Sequence, residues 1–419
     1  MKRRIHLCSM AMLAAPLLAS CTPELREGFY SCSTDSDCPS DWSCSPDTRR
    51  CFSVRQTSDG GVDARNDAPT DSLPPDALPD ATGDGDAGSC TPPPVDLLMV
   101  IDNSNTMEEE QMELRNRFPD FVLSLFRGDI DLDGTSDVPG IEDLRAAVVT
   151  TDLGAGGFRV GTCDTEFGDD GVLQTTSGGN DCPAMLPSFI QFDPDNVSSQ
   201  REDFGCLSTP GLDGCGFEQP LEAALKAVTP STSSLEFFRG TKGQADQANA
   251  GFFRPDSLLI VVIVTDEEDC SASEPDLFNF MSTTYTAEPN LRCTTDWGDD
   301  DPLHEIARYA DGFRATRSTP DRFILGVLAG IPPDVEDAPF DTILTDSRMQ
   351  YVETMDMVLR PACQSPLGNA VPGRRFVEAA QELTLTGSAA VLGSICTLTF
   401  DGFIARLLAA AAPVITCGQ

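Results

Sequence analysis

Apolar runs along residues 90–419 alternate with segments whose apolar positions recur at helical spacing. Continuous apolar runs indicate strands buried on both faces, and a period near 3.6 indicates amphipathic helices. The predicted strands are residues 95–101, 144–151, 257–265 and 323–329, and the predicted helices are residues 108–126, 221–228, 304–316, 376–383 and 400–412. This alternation predicts an α/β fold with a Rossmann-like, doubly wound, mostly parallel sheet and helices on both faces. Two disulfide-rich insertions, residues 153–217 and 270–300, interrupt it.

The pattern before residue 90 is different, and it begins with a segment typical of exported proteins. Lys2, Arg3 and Arg4 precede a short apolar stretch that ends in Leu-Ala-Ser before Cys21. This arrangement resembles a bacterial lipoprotein signal, with residues 1–20 as the signal peptide. The resemblance implies that Cys21 carries a lipid and that the lipid anchors the chain in the cell envelope, with the outer membrane favoured. An ordinary signal peptide is the alternative.

Two further segments separate this signal from the α/β region. Residues 21–52 contain few apolar residues and four evenly spaced cysteines, which predicts a small module held by two disulfides in one of three pairings; a zinc site is the alternative. Residues 53–89 are rich in Asp, Pro, Gly, Ala and Ser, which predicts a disordered acidic linker. The domain of residues 90–419 follows.

The net charge limits the possible partners, and the cysteine content indicates the compartment and the disulfides. The 419 residues carry a formal net charge of −39, so the chain repels phosphate backbones and nucleic acid is not an expected partner. Sixteen cysteines favour an oxidising compartment with disulfides. In residues 90–419, proximity along the chain suggests the pairs Cys206–Cys215 and Cys270–Cys293, and Cys90–Cys417 is expected to join the ends of this domain.

The first strand of the α/β region is followed by side chains that suit a hard metal ion. Asp102, Ser104 and Thr106 occupy alternate positions after the strand, and Asp266 follows the strand at 257–265. Ligands of parallel α/β sheets bind at the carboxyl ends of the strands. Carboxylate and hydroxyl oxygens are the ligands of Mg²⁺, Mn²⁺ and Ca²⁺. The sequence therefore predicts a divalent-metal site at this edge.

The two segments VDLLMVIDNSNTM and IVVIVTDEEDCS, taken together, resemble the von Willebrand factor A domain, the fold of integrin I domains. The shared features are DxSx(S/T) after an apolar strand and a later apolar strand that ends in Thr-Asp. The resemblance implies a metal-ion-dependent adhesion site with Asp102, Ser104, Thr106 and Asp266 around Mg²⁺ or Mn²⁺. It also implies an open coordination position for a carboxylate offered by a protein or glycan partner.

One position departs from that family, which usually supplies a threonine from a loop before a helix. The corresponding loop here is residues 214–220, and it contains no threonine. Gln219 fits the helix register, whereas Glu218 is chemically the better ligand. We expect Glu218 to serve as the ligand, with a degenerate, metal-free site as the alternative.

A second acidic loop, residues 129–137, has the spacing of the first part of an EF-hand calcium loop. Its carboxylates are Asp129, Asp131, Asp133 and Asp137, with Gly134 at the position of the sharp turn. The closing glutamate is missing, because residue 140 is glycine. Bound Ca²⁺ and a solvated acidic turn both remain open.

No enzymatic activity is expected, because nucleophile elbow, P-loop and HExxH motifs are missing and His304 is the single histidine after the signal segment. The predicted function is that of an envelope lipoprotein that binds a partner through a divalent metal. A structural envelope protein with purely stabilising metal and disulfides is the first alternative, and a metal-assisted hydrolase is the second.

Overall fold

The structure is a computed structural model that describes residues 92–416 except 130–132, 138–139, 164–165 and 367. Before residue 92 it describes only Thr34 and the backbones of two short antiparallel strands, β1 (Trp42–Cys44) and β2 (Cys51–Ser53). The chain divides into two units, residues 1–85 and 86–419. Cys21, the linker and the Cys90–Cys417 pair lie outside the described residues, so these predictions and the domain boundaries stay predictions.

The second unit is a mixed α/β structure around a largely parallel six-stranded sheet. Its strands are β3 (Val95–Ile101), β4 (Leu144–Thr150), β5 (Ile190–Gln191), β6 (Leu258–Val264), β7 (Phe323–Ala329) and β10 (Ala389–Ser394). They are adjacent in the order β10-β7-β6-β3-β4-β5, and β5 is antiparallel to β4. A separate two-stranded sheet contains β8 (Cys363–Gln364) and β9 (Asn369–Ala370).

Both faces of the central strands are buried, as their continuous apolar sequences predict. In β3, Leu97 and Met99 belong to one hydrophobic cluster, and Leu98 and Val100 belong to another. The first cluster includes side chains from α1 (Glu108–Arg127), α2 (Val197–Leu207) and α7 (Asp401–Ile415), and the second includes side chains from α3 (Pro220–Val228), α4 (Ile306–Ala315) and α6 (Arg374–Leu385). Helix α5 (Phe340–Thr345) contributes Ile343 to the second cluster.

The ends of two helices follow from local sequence. Three glutamates occupy the first turn of α1, where negative charge is favourable, and Gly128 ends the helix in the left-handed conformation with φ of 74°. Helix α3 begins with Pro220, whose missing N–H has no helical partner at that position anyway. Among the described residues, no helix has the length and apolar character that a membrane span requires.

Four disulfides lie in the described part of the chain: Cys163–Cys215, Cys182–Cys206, Cys270–Cys293 and Cys363–Cys396. The predicted Cys270–Cys293 bond is confirmed. The predicted Cys206–Cys215 bond is wrong, because Cys206 lies in α2 and Cys215 lies in the loop before α3, and each reaches a cysteine elsewhere in the first insertion. A third hydrophobic cluster, which includes Cys215, Phe217 and Cys270, joins the two insertions.

Candidate metal centre

The parallel register places three polar residues side by side at the carboxyl edge of the sheet. Ile101, the last residue of β3, is paired with Thr150 on one side and with Val264 on the other. The residues that directly follow these three strands are therefore Thr151, Asp102 and Thr265. Backbone bonds continue the alignment, since Asp102 donates its N–H to Val264 and Thr151 donates its N–H to Ile101.

Asp102 is the central acid of this row and is fully buried. Its Oδ2 accepts a hydrogen bond from the Thr265 hydroxyl at 2.6 Å, and its Oδ1 accepts one from the Ser104 N–H at 2.8 Å. Burial raises the pKa of Asp102, and these hydrogen bonds offset only part of that rise. The carboxyl group is thus fixed in orientation, and no Lys, Arg or His side chain in the described part of the chain forms an ion pair with it.

A chain of oxygen contacts links the first motif to the second. The Ser104 and Thr106 hydroxyl oxygens lie 3.1 Å apart, and Thr106 donates to Asp266 Oδ1 at 3.3 Å. Burial and the negative charges of Asp102 and Glu267 raise the pKa of Asp266 to about 8. Thr106 is exposed, so this group of oxygens reaches the protein surface. The residues of the two sequence motifs therefore lie together in the structure.

The loop before α3 brings Glu218 to the same place. Burial, followed by the charges of Asp102 and Glu267, raises the pKa of Glu218 well above its ordinary value. Its Oε2 accepts a hydrogen bond from the Thr151 hydroxyl, whereas its buried Oε1 has no hydrogen-bond partner. A buried, unpartnered carboxylate oxygen is costly, and a bound cation removes that cost.

The side chain of Gln219 forms hydrogen bonds with the backbone of the two insertions and not with the residues of the centre. Its side-chain amide donates to the Gly154 carbonyl at 3.0 Å, and its carbonyl oxygen accepts from the Ala272 N–H at 3.4 Å. These bonds connect the two insertions behind the centre. Gln219 thus positions the loop, and Glu218 presents the free oxygen.

The acidic side chains of residues 266–269, which follow β6, lie in different environments. Glu268 accepts hydrogen bonds from Tyr351 and from the backbone N–H groups at the start of α6. Asp269 accepts hydrogen bonds from Arg375 and Ser271. Glu267 instead lies near Asp102, and burial followed by the charge of that residue raises its pKa to about 8. Glu267 was not predicted as part of the centre.

Glu110, in the first turn of α1, is a second acid of the centre that was not predicted. It is 2% exposed, and its Oε2 has no hydrogen-bond partner. Its Oε1 lies so close to Gly368 that a Cβ atom there would be 2.7 Å away. Burial is the largest of the effects that raise the pKa of Glu110 to about 7, and the charge of Asp102 contributes. Glu110 is three residues after Met107 and four before Leu114, which places it on the same buried face of the helix. This spacing was the feature of the sequence that could have predicted its burial.

Five carboxyl groups therefore influence one another, belonging to Asp102, Glu110, Glu218, Asp266 and Glu267. None of them forms an ion pair with the Lys, Arg or His side chains of the described residues. In that same part of the chain, no three Asp, Glu, His or Cys side chains converge in an arrangement ready to hold a metal ion. The donor set and the unpartnered Glu218 oxygen nevertheless fit a hard divalent cation with hydroxyl and water ligands.

The second acidic loop is held by its own hydrogen bonds. Asp129 is buried and accepts from the N–H groups of Asp133 and Gly134 at 3.1 and 3.0 Å. Asp133 accepts from the Thr135 N–H at 2.8 Å, and Gly134 has a φ of 89°, which suits glycine. The Asp137 N–H bonds to the Gly128 carbonyl, and Asp131 lies outside the described residues. Calcium binding there stays a prediction.

Comparison with known proteins gives little further guidance. No known protein family and no curated protein matches the sequence. Among solved structures, the pilus adhesin SpaC from Lactobacillus rhamnosus GG matches with a TM-score of 0.30 and 11% identity. The match covers 77% of this chain and 31% of the adhesin, so the chain spans about a third of that protein. At this TM-score the similarity carries no argument about function.

Proposed function

We propose that residues 90–419 form a doubly wound domain of the von Willebrand factor A type that binds a partner through a divalent metal ion. The observation that carries the proposal is the connected set of Asp102, Ser104, Thr106 and Asp266 beside the unpartnered oxygen of Glu218. These residues follow strand ends in the chain order that the family motifs require. No basic side chain of the described residues forms an ion pair with these carboxyl groups, and their oxygens are the ligands that a hard divalent cation prefers.

Asp102, Asp266 and Glu218 would supply carboxylate oxygens to Mg²⁺ or Mn²⁺, and Ser104 and Thr106 would supply hydroxyl oxygens. Ca²⁺ is the alternative ion, since the same oxygens suit it. The bound ion would act as a positive centre for a carboxylate on the partner. The family resemblance supports an adhesive role rather than catalysis, with the lipid on Cys21 attaching the protein to the envelope, the outer membrane being favoured.

A purely structural metal is the second candidate, and the burial of the acids favours it, because Asp102 is fully buried and Asp266 is 6% exposed. The exposure of Thr106 favours binding instead, since a closed structural site has no ligand at the surface. We therefore rank partner binding first.

Calorimetric titration of the metal-stripped full-length chain with Mg²⁺, Mn²⁺ and Ca²⁺ tests the proposal. Asp102→Asn keeps the shape of the side chain and removes its charge, so binding is expected to fall by about a hundredfold or more. Asp133→Asn is the matched control in the second acidic loop and is expected to retain Mg²⁺ binding. Equal affinity of the wild type and Asp102→Asn would exclude this centre, and loss only in Asp133→Asn would move the ion to residues 129–137.

A further inference from the structure

Helix α3 contains a buried lysine, Lys226, that the proposed metal centre does not use. It is 2% exposed, and it is one of only three lysines in the whole sequence. Buried acids elsewhere in the described residues, such as Asp96, Glu222 and Asp269, pair with arginine. Arginine suits buried ion pairs because its guanidinium group is always charged and bonds carboxylates through two N–H groups. A lysine at this position therefore points to the chemistry of an amine.

The partner of this amine is Asp170, which belongs to the first insertion. Lys226 Nζ donates hydrogen bonds to Asp170 Oδ1 and to the Thr241 hydroxyl oxygen, the second at 2.9 Å. Asp170 Oδ2 accepts a hydrogen bond from Gln244 Nε2 at 2.7 Å. Both side chains of the pair are therefore held in place by a third residue.

The backbone around Asp170 brings its carboxyl group onto α3. Asp170 and Gly171 both have positive φ values, of 56° and 66°. A Cβ atom on Gly171 would lie 3.2 Å from the Ala223 carbonyl oxygen and 3.4 Å from Lys226 Cβ, so glycine permits a close approach of the two segments. The course of the chain, and not only the attraction of charges, thus places Asp170 against Lys226.

A small cavity of about 30 Å³ adjoins the pair. Both side chains belong to its wall, which is otherwise mainly apolar and includes the rings of Phe167, Phe237 and Phe278. Lys226 Nζ lies 5.6 Å from the centre of the Phe237 ring. The volume is about that of one water molecule in the liquid. The amine therefore has largely apolar surroundings, with room beside it for a released water.

These surroundings favour a reaction between the two groups. A buried ammonium–carboxylate pair is costly, since both charges lose hydration. Proton transfer within such a pair gives a neutral amine and a carboxylic acid, and the neutral amine is the nucleophile. The hydrogen bond to Oδ1 places Nζ next to Cγ, the carbon that an amine attacks. Glu222, one turn before Lys226, is not a rival reactant, because both of its carboxylate oxygens accept hydrogen bonds from Arg308.

We propose that Lys226 and Asp170 condense to an intramolecular isopeptide bond. A proton first passes from Nζ to the carboxylate. The neutral amine then attacks Cγ, the Nζ–Cγ bond forms, the bond from Cγ to the protonated oxygen breaks, and a second proton from Nζ leaves with that oxygen as water. Atoms and charges balance without any further reactant. The bond would join the first insertion to α3, and it goes beyond the proposed binding function and does not depend on it.

Two variants of equal composition test this inference. Lys226→Arg and Lys242→Arg each exchange one lysine for one arginine, so the unmodified chains have identical masses. Lys242 is the matched control, because its side chain is 40% exposed and pairs with Glu236 at 3.1 Å. Each full-length chain is purified, denatured, reduced and alkylated, and its mass is then measured by mass spectrometry.

The Lys242→Arg chain is expected to be lighter than the Lys226→Arg chain by one water, about 18 Da. In an Asp170→Ala background the two masses are expected to be equal, since the reacting carboxyl carbon is then missing. Fragmentation of a tryptic digest of the Lys242→Arg chain is expected to show residues 160–201 joined to residues 202–239 through the side chains of Asp170 and Lys226.

Equal masses of the two lysine variants would overturn the inference, because they mean that Lys226 has lost no water. A difference that persists in the Asp170→Ala background would also overturn it, because the lysine would then be joined to another acid. The metal titration concerns other residues, so either proposal can fail without the other.

Discussion

The hydroxyl group of Thr265 donates a hydrogen bond to Asp102 Oδ2 over 2.6 Å, joining the ends of two adjacent parallel strands. Asp102 is fully buried, so its orientation depends on this bond and on the Ser104 N–H. A hydrogen bond that orients a metal ligand from outside the coordination shell contributes to affinity, although the donor does not touch the ion. Thr265 is therefore a positioning residue for the proposed centre.

Replacement of Thr265 tests this relationship. In Thr265→Val the shape is kept and the hydroxyl is lost, and we expect Mg²⁺ affinity to fall about tenfold. Thr265→Ser restores the hydroxyl and is expected to recover most of that affinity in calorimetry. A Thr265→Val protein with wild-type affinity would show that the backbone alone orients Asp102.

Substitutions of Glu218 and Gln219, the two candidate residues in the loop before α3, are expected to affect metal affinity and stability differently. Glu218→Gln removes a charge beside Asp102, so Mg²⁺ affinity is expected to fall strongly while the fold is kept. Gln219→Ala removes the hydrogen bonds to Gly154 and Ala272. We expect it to lower the free energy of unfolding by about 1–3 kcal/mol and to affect metal affinity less than Glu218→Gln does. The opposite order of metal affinities would identify Gln219 as the ligand.

Four of the six strands of the described sheet could be predicted from sequence to within about one residue, because their apolar runs are long. The structure begins β3 at Val95 and ends it at Ile101, and it bounds β7 by Phe323 and Ala329, as predicted. Strands β5 and β10 and helices α2 and α5 were not predicted. The sequence of β10 is short and contains glycine, and α2 lies in an insertion and has only a weak amphipathic pattern.

The residues of the candidate site could likewise be predicted only in part. Asp102 and Asp266 follow predicted strands, so a parallel sheet brings them to one edge. Glu267 and Glu110 were missed because their proximity depends on the loops around them, and acidic residues are abundant throughout the chain. The Cys163–Cys215 bond was missed for a related reason, because proximity along the chain does not determine pairing across a folded insertion.

The metal-free protein is expected to lose stability as pH rises. Asp266 and Glu267 each have a pKa of about 8 in the folded chain, against about 4 in an unfolded one. Between these pH values the folded state retains protons that the unfolded state has lost, so the free energy of unfolding decreases towards pH 8. Each unit of pKa difference corresponds to about 1.4 kcal/mol.

Denaturant titrations at about pH 5 and pH 8 measure this effect. Glu267→Gln is expected to reduce the difference between the two pH values, and Mg²⁺ is expected to restore stability at pH 8 by neutralising the carboxylates. A metal-free protein that is more stable at pH 8 than at pH 5 would contradict the expected burial of uncompensated acids.

The opposite end of β3 offers a test of stability that is independent of the metal. Asp96 is fully buried, and it accepts hydrogen bonds from Arg254 at 2.6 and 2.8 Å and from Ser257 at 2.6 Å. Six residues at about 3.3 Å each place it about 20 Å from Asp102. Asp96→Ala leaves Arg254 without its buried partner and is expected to cost about 3 kcal/mol.

Asp143 is the matched control, since it pairs with the same arginine and its side chain is 50% exposed. Asp143→Ala is expected to cost no more than about 1 kcal/mol in the same denaturant titration. Both variants are expected to retain wild-type Mg²⁺ affinity if they remain folded. Equal costs for the two variants would show that burial does not distinguish these ion pairs.

The Cys163–Cys215 disulfide ends three residues before Glu218 and holds the loop that presents this acid. The Cys182–Cys206 disulfide instead joins two parts of the first insertion, the loop around Cys182 and helix α2. Replacing either pair with alanines releases a constraint on the unfolded chain, so each change is expected to destabilise the protein by about 2–4 kcal/mol. Only the loss of Cys163–Cys215 is expected to weaken Mg²⁺ binding as well, by about tenfold, because Glu218 then has more freedom to move. Calorimetry on both double variants under conditions where they remain folded measures the difference, and equal metal affinities would show that Thr151 and the backbone bonds of the loop suffice to hold Glu218 in place.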